Sequence, residues 1–136
     1  MTVWATTVQR GIAFAIGCGR MSLDSRSAAP PIDAIGATVM VSAAGLIVGC
    51  AALTGVITIA GPRHPITEHK DSEKIRERFA LKSIDRCGPV LWVFEHGLLF
   101  GRPIAVEEGD GELWPVPQSL HNKLRSAYRE ARERRS

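Results

Sequence analysis

Apolar and polar positions divide this chain unevenly. Residues 34–61 read AIGATVMVSAAGLIVGCAALTGVITIAG without one charged side chain, with Asp33 before the run and Pro62-Arg63 closing it. A helix rises 1.5 Å per residue, and roughly 20 apolar residues cross the ~30 Å hydrocarbon core, so the run is long enough to span a bilayer even when tilted. In lipid only a helix satisfies its own backbone hydrogen bonds, and the pattern therefore predicts one transmembrane helix over 32–61. Within it Gly45 and Gly49 make a GxxxG, and Ala51 and Gly55 repeat the small-xxx-small spacing. Missing side chains let another backbone approach, so these four positions are the expected helix-packing interface. Asp, Glu, Lys, Arg and His are all absent from the run, which points to an anchor and away from a transporter.

The flanks carry weaker patterns. Residues 1–31 hold Arg10, Arg20 and Arg26, with Asp24 as the first acid, the composition of an organelle transit segment; the short apolar piece 11–17 also allows a secretory reading. Ser27-Ala28-Ala29-Pro30-Pro31 reads as an extended linker. Beyond the apolar run, a helix is predicted over 71–87, capped by Asp71 or Ser72 and stopped at Gly88-Pro89. Residues 89–100 are apolar and aromatic but interrupted by Glu95-His96-Gly97, which fits a hairpin or an interfacial segment. A loop follows over 101–117, then a basic amphipathic helix over 119–134 with Leu120, Leu124, Ala127, Tyr128 and Ala131 on one stripe. The resulting fold class is mainly α: one transmembrane helix and a small, mostly helical extramembrane region. Arg63, Trp92, Phe94, Phe100, Trp114, Leu120, Leu124 and Tyr128 are the expected partner or membrane-interface contacts. Positive charges flank the run more densely on its C-terminal side, whereas the transit-like lead places the N-terminus inside, so sidedness stays open.

Composition changes this picture little. The chain has 136 residues, 17 Lys and Arg against 14 Asp and Glu, a net charge of +3 that by itself excludes a strongly basic nucleic-acid binder. Three cysteines, Cys18, Cys50 and Cys87, are odd in number and far apart, so no disulfide framework is expected. Outside the apolar run no segment is long enough for a large independent core, which points to neighbouring subunits as the stabiliser.

Candidate chemistry is sparse. His64 and His69 are five apart with Pro65 between them, and Glu107, Glu108 and Asp110 lack calcium-loop spacing, so no metal site is expected. Glu95-His96 beside Trp92 is a possible redox or cofactor contact in a single-pass membrane protein; a polar break in an apolar segment is the simpler account. No nucleophile, base and orienter can be assembled, so neither catalytic residues nor a cofactor are expected.

The stretch Glu73-Lys74-x-Arg76, Arg78-Phe79, Leu81, Asp85-Arg86, Gly88 and Gly97-Leu98, following a single apolar run, resembles the small MWFE-type accessory subunit of mitochondrial complex I (NADH dehydrogenase). The resemblance covers about the middle half of the chain and implies a non-catalytic, single-pass subunit of the mitochondrial inner membrane. An accessory subunit of ATP synthase or another respiratory complex is the alternative. Its implied partners are other membrane subunits and the lipid bilayer, bound phospholipid included, with no nucleic acid.

Overall fold

Ala44 and Gly45 both have positive φ, 51° and 78°, and there the apolar run folds back on itself. In the computed structural model, which describes residues 2–59, 67–74 and 89–135, the elements are β1 (Trp4–Thr7), α1 (Arg10–Gly17), β2 (Leu23–Arg26), β3 (Thr38–Ala43), β4 (Leu46–Thr58), β5 (Val90–Ala105), β6 (Trp114–Pro115) and α2 (His121–Arg135). Ala43 pairs with Leu46 across the two-residue turn. Positive φ at both central residues is the type I′ geometry, whose twist matches that of the strands it joins. Thr38, Val39, Val41, Val48, Thr54, Val56, Ile57 and Thr58 are β-branched and suit the extended backbone.

The strands form one six-stranded sheet in the order β2-β5-β4-β3-β1-β6. β1 runs parallel to β3; every other pair is antiparallel. The β4–β5 ladder shifts register at three places, and such irregularities bend and twist a sheet, here into a half-barrel. One hydrophobic cluster joins Ala13 and Ile16 of α1 to Val39, Val41, Leu53, Trp92 and Phe94. A second joins Leu124 and Ala131 of α2 to Met40, Cys50, Leu98, Phe100 and Trp114. β3 and β4 contribute to both clusters, so they are covered on two sides. Strands buried on both faces read as unbroken apolar runs, and this explains the missing charges.

The mainly α class with one transmembrane helix is therefore corrected. Among the described residues no helix is long and apolar enough to cross a membrane, and residues 38–58 are a β-hairpin. The single-pass topology, the inner-membrane location and the expected bilayer and membrane-subunit partners all depended on that helix and fall with it. The glycines serve strand packing instead. A Cβ at Gly49 would collide with the Leu98 carbonyl of β5, and one at Gly55 would lie 3.0 Å from the His69 Cα. Gly45 sits in the turn and Ala51 in the core.

The aromatic segment lies within one 16-residue strand and is not a hairpin. His96, at φ 56°, kinks it, and Gly97 lies against the Ile16 and Gly17 carbonyls that end α1. Of the helix expected over 71–87, only residues 71–74 are described, with 71 a turn and 72–74 helical; the rest of it, with Arg63, His64 and Cys87, lies outside the described residues.

Candidate nucleic-acid interface

On a strand, side chains two apart share a face, so Asp24-Ser25-Arg26 in β2 sends Asp24 and Arg26 the same way. Both are buried, at 8% exposure each. Arg26 Nε donates to Asp24 Oδ2 at 2.7 Å, and its guanidinium carbon lies 4.4 Å from the centre of the Trp92 ring. The ring is fixed in turn by Trp92 Nε1 donating to the Ala28 carbonyl at 2.8 Å. Arg26 Nη1 reaches the Glu112 carbonyl at 3.5 Å, and the same carbonyl accepts Thr6 Oγ1 at 2.6 Å. Glu112 Oε1 accepts the Ser27 hydroxyl at 3.0 Å and the Ser27 N–H at 3.3 Å, closing the segment after β2 against the loop after β5.

Arg26 Nη2 is buried and has no hydrogen-bond partner. A guanidinium carries five donors and cannot shed its charge. Leaving one of its nitrogens dry and unpaired costs about 1–3 kcal/mol, a cost that an incoming acceptor would remove. Asp24 balances the charge, Trp92 backs the plane, and Nη2 is left without an acceptor. Elsewhere in the same loop, Glu108 accepts a hydrogen bond from the buried Ser42 hydroxyl.

A cleft of about 510 Å³ lies between α2 and the sheet, bounded by Cys50, His96, Leu98, Tyr128, Arg132 and Arg135 among others. Burial pushes the Cys50 thiol up from 9.0 to about 12, so it stays a neutral filler on this wall. Arg132 stands 5.7 Å from the Tyr128 ring centre, and Arg135 donates through Nη1 to the Gly97 carbonyl.

The remaining expected site residues scatter. Trp92, Phe94, Phe100 and Trp114 are core side chains, and Trp114 Nε1 donates to Thr7 Oγ1 at 2.9 Å. Leu124 is buried under α2, with Leu120 and Tyr128 at its margins. Glu95 does not pair with His96. Its carboxylate lies 3.5 Å from His69 Nε2, while His69 Nδ1 accepts the Asp71 N–H at 3.1 Å. Both ring nitrogens are engaged, so His69 ties residues 67–71 to β5.

No family model matches the chain, and no curated protein matches it. Solved structures do. The ASCH protein of Zymomonas mobilis superposes with a TM-score of 0.62 at 14% identity, over 92% of this chain and 94% of that one. The fold is ASCH-like. A tyrosine-to-phenylalanine variant of the Zymomonas mobilis protein gives 0.60 at 16% identity over 93% and 98%, and a serine-to-alanine variant 0.58 at 15% over 92% and 95%. Likeness over nearly the whole of both chains overturns the resemblance to a complex I subunit, and with it the role in a respiratory complex. The motif behind that resemblance was a set of common residues spread over 73–98, most of them outside the described segments.

The geometry around Arg26 also shows a residue that sequence reasoning missed. Arg26 stood in the lead as one transit-like arginine; the signal was its place two residues after the first acid. A net charge of +3 is an average over the chain and does not support the expected absence of nucleic acid, because it conceals the clustering of arginines on α2.

Proposed function

We propose that this chain is an RNA-binding domain that holds a base of a single-stranded segment at Arg26. The unpaired, buried Nη2 of Arg26 on its Trp92 backing carries this reading. A guanidinium edge is the commonest reader of base acceptors, and only an unstacked base can bring its edge to a donor this deep. The ASCH architecture, a PUA-like RNA-binding β fold, supports the same reading. Binding is the proposed activity, with no chemical step assigned to the chain.

Fluorescence anisotropy with labelled single-stranded RNA tests it, with duplex DNA as the control. Arg26→Lys keeps the charge beside Asp24 but loses the planar fork. One good fork contact to a base is worth about 1–3 kcal/mol, so RNA affinity should fall roughly 5- to 150-fold while the melting temperature reports an intact fold. RNA binding no tighter than to duplex DNA, or unchanged binding by a folded Arg26→Lys, overturns the proposal.

A further inference from the structure

We infer that the cleft between α2 and strands β4 and β5 is a second subsite, which takes phosphates of the RNA backbone. The RNA source rests on the function proposed above; the geometry of the cleft is independent of Arg26. Arg125, Tyr128, Arg132 and Arg135 are spaced three, four and three apart, which places all four on one helix stripe. That stripe borders the buried one formed by Leu124 and Ala131. Arg125, Arg132 and Arg135 are exposed.

Among the described residues the cleft itself is lined by two arginines, one histidine and one tyrosine, and by no carboxylate. A second concavity, lined by Arg125, Arg129 and Glu133, shares Tyr128 and Arg132 with it. A third, along Leu99, Phe100 and Arg134, shares Leu98 and Arg135. The concavities therefore follow one another along α2, over about 15 Å from Arg125 to Arg135 at 1.5 Å per residue. Of the α2 acids, Glu133 stands at the edge of the Arg125–Arg129 concavity, and Glu130 and Glu133 meet Arg134 in a further hollow.

Arginines in the last turn do offset the negative end of the helix dipole. That accounts for Arg134 as readily as for Arg132 and Arg135, but not for Arg125, ten residues before the helix end at Arg135 and on the same stripe. A linear run of cations in which arginines outnumber the single acid, Glu133, with one aromatic ring beside them, matches an extended, regularly charged chain with bases to stack. Lone anions need no such track.

The test uses the full chain and Arg125→Gln/Arg132→Gln, which touches neither the Arg26 site nor the Arg135–Gly97 contact. Anisotropy with labelled single-stranded RNA is measured across salt concentrations. Each phosphate contact on a single strand contributes about 0.7 to the slope of log affinity against log salt, so the double variant should bind with a slope shallower by about 1.4. Inorganic phosphate, followed by amide NMR, should move His96, Leu98 and Arg132 in the wild-type chain and not in the variant. An unchanged salt slope, with RNA still bound, overturns the subsite and leaves the Arg26 reading standing. Phosphate shifts confined to other residues also overturn it. Phosphate shifts at His96 and Arg132 without any RNA binding support an anion cleft and sink the RNA-binding function.

Discussion

Replacing Gly49 by alanine separates a strand from a membrane helix. In an apolar helix, Ala at this position would gain propensity of up to about 1 kcal/mol. In the hairpin, the new Cβ meets the Leu98 carbonyl and lies 3.1 Å from the Leu99 Cα. Both are backbone atoms of β5, the partner strand of Gly49, so they cannot yield without opening the β4–β5 ladder. Forcing an extra carbon into such a site costs about 1–3 kcal/mol, and the reduced freedom of the unfolded chain returns only about 0.4–1. A net loss near 1–2 kcal/mol is expected, which for a domain of this size lowers the melting temperature by roughly 4–8 °C. Gly11→Ala is the matched control. It lies in α1 with nothing within 4 Å of the added atom, and should be neutral or stabilising. Urea unfolding followed by tryptophan fluorescence gives both values. Equal or greater stability of Gly49→Ala would refute the close packing of β4 on β5.

Other outcomes follow from particular residues. Ala44 holds φ 51° in the hairpin turn, where an ordinary residue loses roughly 1–2 kcal/mol, so Ala44→Asn should raise the urea midpoint; a lowered midpoint would argue against the turn. Leu53 is fully buried, and Leu53→Ala should cost about 2–5 kcal/mol in the same assay. With Cys18 and Cys87 replaced by serine, Cys50 should resist alkylation at pH 8 until the chain unfolds. Its folded value, about 12, lies above the unfolded 9.0, so its contribution is complete below pH 9. It is lost as pH rises from 9 towards 12, by about 1.4 kcal/mol per unit. Cys50→Ala should flatten that alkaline decline.

The residues reveal parts of this fold and conceal its centre. The spacing of Leu120, Leu124, Ala127 and Ala131 is that of the face on which α2 packs, because a helix with one covered side keeps its period. β3 and β4 are covered on both sides, and a strand without a solvent face loses the alternation that would mark it. The only local clue to the reversal was Ala44-Gly45 between β-branched stretches, weaker than the usual Asn-Gly. β1, β2 and β6 are too short to show a period, and their partners lie far away in sequence: Arg26 with Val90, Ala5 with Trp114. The Arg26 site shared that difficulty, since Thr6, Trp92 and Glu112 converge on it from distant segments.

The doubly covered hairpin has a consequence for biosynthesis. β4 ends at Thr58, and its neighbour β5 begins only at Val90. At 5–20 residues per second, translating residues 59–89 takes roughly 2–6 s, so the hairpin strands are complete for that long before β5 begins, and for longer before α2. α1 is already made and can cover one face, so the face that α2 will cover and the edge that β5 will pair with wait together. Nascent chains at this stage are the natural clients of holding chaperones, and slower elongation across that interval would deepen the risk of clumping.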